Sequence, residues 1–261
     1  MDPIKKILVT GANGQLGLSL KDIALDYPNY QFHFKNSLEL DITKEKQIQE
    51  FFVKNNFNYC INCAAYTNVE QAEKTPEIAF KVNAEGVKNI AKVCKKFEVL
   101  LIHISTDYIF DGEKNEPYTI HDIPNPVNEY GKSKLAGEKY IQKILTNYYI
   151  IRTSWLYSKI HGENFYKTIL EKAKKGEIIK ITDEQVGCPT DTKNLANFIL
   201  NQLISQKIKF GIIHFSDQAA MSWYDFACQI LEVNGFNHYD LLVKDRNYRS
   251  FAKRPKNSVL L

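Results

Sequence analysis

The chain has little of what a disulfide scaffold, a membrane protein or a nucleic-acid-binding protein requires. It has five cysteines among 261 residues, an odd number for a disulfide framework. No apolar stretch reaches the length of a membrane span, and the segment before Ile7 is too short and polar for a secretion signal. The net charge of +4 is spread over many lysines and forms no basic run, which argues against nucleic acid. We expect a cytoplasmic protein that binds neither nucleic acid nor a membrane.

One close cysteine pair, Cys60 and Cys63, raises the question of a metal or redox site. Both cysteines lie in an apolar segment, residues 59–63, that is typical of a buried strand. Residues three apart on a strand point to opposite faces, so the two thiols would diverge. No second close pair of cysteines exists to complete a tetrahedral zinc site. We therefore predict that both cysteines pack in the core.

Apolar strands and amphipathic helices alternate from the start of the chain to about Arg152. The predicted strands are 7–10, 31–34, 59–63, 99–104 and 149–152, and the predicted helices are 15–26, 43–55, 77–96 and 128–144. Repeated βα units of this kind predict an α/β fold, a Rossmann doubly wound parallel sheet with helices on both faces. Ligands of such a sheet bind at the carboxyl ends of its strands.

A glycine-rich turn follows the first predicted strand and reads Gly11-Ala12-Asn13-Gly14-Gln15-Leu16-Gly17. Gly11 permits the tight turn, Gly14 lets the backbone approach a pyrophosphate, and Gly17 lets helix and strand pack closely. The helix that follows directs its free N–H groups and the positive end of its dipole at that anion. This position in an α/β pattern predicts a dinucleotide site and not an ordinary βα turn.

The regular alternation fades after Trp155. Helices are predicted over 164–175, 191–205 and 222–234, and short strands over 178–181 and 211–216. We interpret this half as a smaller, interleaved lobe that covers the rim of the sheet and shapes a pocket. Residues 1–155 and about 176–206 would form the dinucleotide-binding domain, and residues from about 156–175 and 207–261 the substrate-binding lobe.

The end of the second strand bears on the choice of dinucleotide. A site specific for NAD usually has an acidic residue there to bind the ribose 2′-hydroxyl. The chain has Lys35 and Asn36 at this point, and no carboxylate before Glu39. Because Lys35 could pair with a 2′-phosphate, NADPH is the favoured cofactor, and NADH stays open as a second one. The alternative is that Lys35 is an ordinary surface lysine.

Candidate catalytic groups lie on the helix predicted over 128–144 and at the end of the strand 99–104. Tyr130 and Lys134 are four residues apart, which places their Cβ atoms about 5–6 Å apart on one helix face. A cation this close is expected to lower the pKa of the tyrosine from about 10 and make it a proton donor or acceptor. Ser105 and Thr106 place hydroxyls at the carboxyl end of the strand, where one could stabilise a developing alkoxide. The alternative is that both hydroxyls cap the strand end.

Together, these motifs resemble the extended short-chain dehydrogenase/reductases that act on nucleotide sugars. Further matching segments run in the family's order across essentially the whole chain: Asn62–Thr67, Tyr130–Glu138, Arg152–Trp155, Asp183–Thr190, Met221–Tyr224 and Arg254–Ser258. Each segment is weak alone, and the set is specific. The resemblance implies that a nicotinamide cofactor delivers hydride to the C4 carbonyl of a dTDP-linked keto-6-deoxyhexose.

The resemblance also implies roles for individual residues. Tyr130 would donate the proton, Lys134 would hold the nicotinamide ribose, and Thr106 would hydrogen-bond the reacting oxygen. Asp107 and Trp155 would lie at the sugar nucleotide, with core packing as the alternative for Trp155. The implied cofactor contacts are Gly11, Asn13, Gly14, Gln15, Leu16 and Gly17 at the pyrophosphate, Asp41 and Ile42 at the adenine end, and Ala64, Ala65 and Tyr66 along the cofactor. Asn83 is expected to help complete a proton network.

Two other functions stay open at this point: a reductase of another nucleotide-linked keto sugar, and a non-catalytic regulatory subunit that binds NADP. The expected partner is a nucleotide-sugar substrate, and a homodimer is left open. Some family members carry an acidic residue just after the glycine turn that helps bind magnesium between subunits. Leu18 and Ser19 offer no carboxylate there, so no metal is predicted.

Overall fold

The computed structural model describes residues 3–205, 207–217 and 219–261. The strands are β1 (Lys5–Thr10), β2 (Tyr30–Lys35), β3 (Tyr59–Asn62), β4 (Leu100–Thr106), β5 (Tyr148–Thr153), β6 (Leu156–Tyr157), β7 (Ile179–Ile181), β8 (Val186–Gly187), β9 (Thr190–Asp191), β10 (Gly211–Phe215), β11 (Met221–Ser222) and β12 (Leu242–Lys244). The α-helices are α1 (Gln15–Ile23), α2 (Glu45–Asn55), α3 (Val69–Lys74), α4 (Pro76–Phe80), α5 (Val87–Lys96), α6 (Glu129–Ile144), α7 (Phe165–Lys174), α8 (Thr192–Phe198) and α9 (Trp223–Val233).

Six strands form the central sheet in the order β2-β1-β3-β4-β5-β10, and every neighbouring pair is parallel. The order reverses between β1 and β3, because β2 lies on one side of β1 and all later strands lie on the other. A crevice opens outside the carboxyl ends of the strands at such a switch point. The predicted doubly wound parallel sheet is confirmed.

The sheet is covered on both faces because its strands alternate apolar side chains between two cores. Ile7 and Val9 of β1 pack into one core with α1 and α8, while Leu8 packs into the other with α2 and α5. Cys60 lies in the second core and Cys63 packs against the first. The two thiols therefore diverge, as the strand geometry predicted, and both are free cysteines.

A third core forms the smaller lobe, where α7 and α9 pack together around aromatic side chains such as Tyr166 and Phe226. Two strands fall on the other side of the predicted boundaries. β10, predicted within the lobe, pairs with β5 as the sixth strand of the sheet, and β7, predicted with the dinucleotide-binding domain, pairs with β12 and packs in the lobe core. Such short apolar runs carry no periodicity that tells which core they enter.

The helix predicted over 77–96 is interrupted. It consists of α4, a π-helical turn at Lys81–Gly86, and α5. It is preceded by α3, which the sequence reading missed, and which begins where the Asn68 side chain accepts the backbone N–H of Gln71 at 2.9 Å. A π turn inside a helix is often found at a functional site, and this one carries Asn83.

Candidate active site

A cavity of about 870 Å³ opens at the carboxyl ends of β1, β3, β4 and β5. It contains almost every position that the sequence singled out. The predicted residues in its wall are Gly11, Asn13, Gly14, Gln15, Leu16, Gly17, Asp41, Ile42, Ala64, Ala65, Tyr66, Thr106, Asp107, Tyr130, Lys134 and Trp155. Trp223, from α9 of the lobe, also lines it, so the cavity lies between the sheet and the lobe.

The glycine turn at the base of this cavity can exist only with glycines at two positions. Gly11 has φ +64°, and a Cβ atom there would lie 2.6 Å from the backbone nitrogen of Ala64. A Cβ atom at Gly17 would lie 2.6 Å from the carbonyl oxygen of Gly11. Gly14 caps α1 without a side chain, so the first N–H groups of α1 have no side-chain cap. The turn therefore fits a pyrophosphate at the start of α1.

Gln15 uses its side chain in a way that the sequence did not indicate. Its Oε1 accepts hydrogen bonds from the backbone N–H of Ser158 at 2.9 Å and from Nδ2 of Asn164 at 2.8 Å. Asn164 in turn caps α7 by accepting the N–H of Lys167. Gln15 thus ties the glycine turn to the loop that leads into the lobe.

Lys35 does not line the cavity. Its Nζ pairs with Oε1 of Glu39 at 3.0 Å and lies 5.7 Å from the ring centre of Phe51, on the α2 side of β2. The neighbouring Asn36 and Ser37 line the cavity instead. The expectation that Lys35 faces a 2′-phosphate is therefore not met by this geometry, because alternation along β2 turns its side chain away.

Tyr130 and Lys134 project from the first turns of α6, which begins where Asn128 Oδ1 accepts the N–H of Gly131 at 2.7 Å. A Cβ atom at Gly131 would collide with the carbonyl oxygen of Tyr108, so the helix start lies directly against the segment that follows β4. This close approach brings the helix face with Tyr130 next to Thr106 at the end of β4.

The predicted effect of Lys134 on Tyr130 is wrong in this structure. Lys134 Nζ donates to the carbonyl oxygen of Ile104 at 2.6 Å, within the wall. Burial raises the pKa of Tyr130, and hydrogen bonding with Thr106 opposes that rise only in part. Burial also lowers the pKa of Lys134 to about 8, against the charge of Glu138. Spacing on a helix identified the pair but not their desolvation, which is the larger effect.

Thr106 and Asp107 form a hydrogen-bonded pair at the end of β4. Thr106 Oγ1 donates to Asp107 Oδ1 at 3.0 Å and accepts the backbone N–H of Tyr108 at 3.2 Å. Asp107 is 2% exposed, and burial raises its pKa to about 6 although nearby hydroxyls oppose the rise. Thr106 thus does cap the short turn that follows, as the alternative interpretation held, and it also faces the cavity.

Asn83 positions the backbone of the cavity wall. Its Oδ1 accepts the N–H of Tyr66 at 2.8 Å, and its Nδ2 donates to the Tyr66 carbonyl at 2.9 Å and to Ser133 Oγ at 3.0 Å. Ser133 Oγ donates onward to the carbonyl oxygen of Tyr130. The π turn therefore fixes Tyr66 relative to α6. None of these bonds joins Asn83 to the side chain of Tyr130, so the role of Asn83 in a proton network stays a prediction.

Trp155 forms an aromatic stack at the lobe side of the cavity. The centres of its ring and of the Trp223 ring are 3.6 Å apart, with 8° between the two planes. Gly187 also lies against the Trp155 indole, since a Cβ atom there would be 2.5 Å from Cε2. Trp155 has φ +47°, a strained conformation for a bulky residue. Trp155 therefore both packs against its neighbours and lines the cavity. Trp223 lines the cavity too, and the sequence analysis assigned it no role.

Arg254 is a second missed residue. It lines the cavity and donates through Nη2 to Glu70 Oε1 at 3.0 Å. Glu70 also accepts the backbone N–H of Ala252, which ties the C-terminal segment to α3. The motif Arg254–Ser258 was noted in the sequence, and the structure now places its cation beside the cavity.

The described residues contain no group of three or more His, Cys, Asp or Glu side chains that could hold a metal ion. Ser19, at the position considered for magnesium, donates instead to Thr192 Oγ1 at 2.7 Å between α1 and α8. Among the helices of the described ranges, none is long and apolar enough to cross a membrane.

The sequence of this chain is similar to those of known proteins over nearly its whole length. The model of the RmlD substrate binding domain family matches residues 5–261. The chain belongs to this family. A dTDP-4-dehydrorhamnose reductase from Aggregatibacter actinomycetemcomitans is 36% identical to this RmlD-family chain, over 98% of it and 90% of the relative.

Two solved structures are similar to this RmlD-family protein throughout. A dTDP-4-dehydrorhamnose reductase from Clostridium acetobutylicum superposes with a TM-score of 0.91 at 39% identity, covering 98% of this chain and 90% of that one. The dTDP-4-dehydrorhamnose reductase from Bacillus anthracis, in complex with NADP, has a TM-score of 0.93 at 36% identity with the same coverage. The resemblance to nucleotide-sugar reductases inferred from the motifs is thereby confirmed.

Proposed function

We propose that this protein reduces the C4 ketone of dTDP-4-dehydro-6-deoxy-L-mannose to give dTDP-L-rhamnose, with NADPH as the hydride source. The observation that carries the proposal is the meeting of Tyr130, Thr106 and Lys134 in one cavity with the glycine turn. Relatives named dTDP-4-dehydrorhamnose reductase, one of them in complex with NADP, support the same substrate and cofactor.

The fit to a dinucleotide is supported by Gly14, which begins α1 without a side-chain cap, and by the close backbone contacts of the turn at Gly11 and Gly17. Backbone N–H groups of Gln15, Leu16 and Gly17 would hold the pyrophosphate, while Asp41, Ile42, Ala64, Ala65 and Tyr66 would line the remainder. Lys134 would hold the nicotinamide ribose. A bound reduced nicotinamide supplies the hydride. Since Lys35 pairs with Glu39 outside the cavity, it is not directed at a 2′-phosphate in this geometry, and NADH is proposed as a second cofactor.

Tyr130 is proposed as the proton donor to the reduced carbonyl oxygen. A raised pKa keeps its phenol protonated at neutral pH, which is the state that a ketone reduction needs. The alkoxide that develops on the substrate as the hydride arrives accepts this proton. Thr106 would hydrogen-bond the same oxygen and stabilise its developing charge. Trp155 is proposed to contact the sugar nucleotide, with Asp107 nearby.

The test is NADPH oxidation, followed by absorbance, with the keto sugar nucleotide generated in the assay. We expect turnover by the wild type and a fall of about 10²–10⁴-fold in Tyr130→Phe, because general acid catalysis contributes on that order. Cofactor affinity should stay near the wild-type value in this variant. A wild type that binds NADPH but shows no turnover with saturating substrate would instead indicate a regulatory subunit.

A further inference from the structure

Thr106 has a single hydroxyl proton, and the structure directs it at Asp107. Oγ1 donates to Asp107 Oδ1 at 3.0 Å and accepts the backbone N–H of Tyr108 at 3.2 Å. Its remaining neighbour is the Tyr130 hydroxyl, which is protonated at neutral pH and can fill the second acceptor position of Oγ1. A threonine hydroxyl has one donor position and two acceptor positions. While Asp107 is ionised, Thr106 is therefore held as the donor to a carboxylate and cannot give the same proton to a substrate oxygen.

Asp107 lies in a neutral environment. Its Oδ2 is buried and makes no hydrogen bond of normal geometry with a described residue. The groups facing it come from several elements and are uncharged near pH 7: Thr106 on β4, Tyr108 in the turn after β4, Tyr130 on α6, Ser154 after β5, Cys188 after β8, and Ser258 in the C-terminal segment. The two cations of the cavity wall, Lys134 and Arg254, bond to Ile104 and Glu70 instead.

Burial without a cation favours the protonated form of a carboxyl group, and it raises the pKa of Asp107 to about 6. A protonated carboxyl group is a donor as well as an acceptor. The contact between Asp107 Oδ1 and Thr106 Oγ1 can then persist at the same distance with its direction reversed. In that state Thr106 accepts from Asp107, and its own proton is free.

We propose that Asp107 is a positioning residue that sets the direction of the Thr106 hydroxyl: when protonated, Asp107 donates to Thr106, and Thr106 donates to the carbonyl oxygen of the substrate. The inference rests on the proposed function. The proton on Asp107 comes from solvent and remains there through the reaction, so none is consumed at this position. Tyr130 still supplies the proton that is transferred to the product.

The test is the pH profile of kcat/KM for NADPH oxidation between about pH 5 and pH 7.5, a window centred near the pKa of Asp107. In the wild type, kcat/KM should be flat at low pH and fall by up to about tenfold per pH unit above about pH 6, as the donor state is lost. Asp107→Asn places a permanent amide donor at this site. Its profile should be flat across the window, with unfolding measurements showing an intact fold.

Ser258→Ala is the matched control, because Ser258 faces Asp107 but no bond joins it to Thr106. The Ser258 hydroxyl donates to the Val186 carbonyl, and its loss leaves the Asp107–Thr106 pair in place, so the falling limb should remain. An Asp107→Asn enzyme that keeps the wild-type limb overturns the inference, and so does a Ser258→Ala enzyme that has lost the limb.

A second measurement needs no turnover and separates this inference from the proposed reaction. Infrared difference spectra of the NADP-bound protein should show a protonated carboxyl stretch that appears as the pH falls through about 6 and is missing in Asp107→Asn. No turnover by the wild type at any pH would refute the proposed function alone. Absence of the titrating carboxyl band would refute the role of Asp107 even in an active enzyme.

Discussion

A buried ion pair lies directly behind the candidate catalytic groups. Arg152 of β5 contacts Glu138 of α6 through Nη2–Oε2 at 2.8 Å and Nε–Oε1 at 3.2 Å, and the two side chains are 3% and 0% exposed. Ser105 donates to Glu138, and the Arg152 guanidinium lies 5.4 Å from the ring centre of Phe110. We predict that removing one charge of this pair destabilises the protein strongly.

The expected magnitude follows from burial. Removing one partner of a buried pair leaves an uncompensated charge and costs about 3–5 kcal/mol. Arg152 already has one buried atom, Nη1, without a hydrogen-bond partner among the described residues. Glu138→Gln should therefore reach about 4 kcal/mol, equivalent to a melting temperature lower by about 8–16 °C in a chain of this size. Replacing both residues, as in Glu138→Leu with Arg152→Met, should cost much less than either single change.

The assay is urea unfolding followed by circular dichroism for the wild type, Glu138→Gln, the single variants Glu138→Leu and Arg152→Met, and the double variant that combines these last two changes. Lys132→Met is the matched control, since Lys132 pairs with Glu129 at 2.7 Å on the same helix but is half exposed. Its loss should change the free energy of unfolding by less than about 1 kcal/mol. A Glu138→Gln protein within about 1 kcal/mol of the wild type would refute the reasoning, as would a double variant whose cost equals the sum of the singles.

Three further outcomes are expected. Lys35→Ala should weaken NADPH and NADH binding by the same factor, if at all, because Lys35 pairs with Glu39 outside the cavity; a loss selective for NADPH in titrations would contradict this. Lys134→Met should abolish turnover yet raise the melting temperature at pH 7. The pKa of Lys134 is about 8 in the folded state, below its value in the unfolded chain. The buried charge therefore lowers the stability of the fold at pH 7, and this cost is relieved only as the pH rises above about 8. A lowered melting temperature of Lys134→Met would contradict this. Gly187→Ala should raise KM for the sugar nucleotide by displacing Trp155, while leaving the Kd for NADPH unchanged.

The sheet and the location of the site could be predicted because both follow from local patterns. Alternation of apolar strands and amphipathic helices specifies a doubly wound sheet, and that topology places every strand-end motif at one edge. Thr106 at the end of β4 and Tyr130 on α6 are close in the chain and in the topology of the sheet. Their proximity could therefore be predicted from the order of the strands and helices alone. The glycine turn was identified for the same reason, since its spacing directly reflects close backbone contacts.

The remaining features depend on surroundings that no local pattern contains. Lys35 was placed at the right strand end, but Glu39 and Phe51 decide where its ammonium lies. The pKa of Tyr130 depends on the protein packed around it more than on Lys134, one helical turn away. Gln15 was assigned by its motif, whereas its side chain bonds to Ser158 from a loop 143 positions later in the chain.

Burying Lys134 and Asp107 in the cavity wall costs folding stability, and this cost helps to distinguish an enzyme from a protein that only binds a dinucleotide. A binding module needs the glycine turn and an apolar wall, but neither a lysine whose pKa burial lowers to about 8 nor a carboxyl group whose pKa burial raises to about 6. Each group lowers the stability of the fold near neutral pH, and both lie within the same wall as Tyr130. Ionisable groups shifted in this way and gathered in one cleft are typical of sites where protons move. The arrangement of Asp107, Lys134 and Tyr130 therefore supports an enzyme over a regulatory subunit.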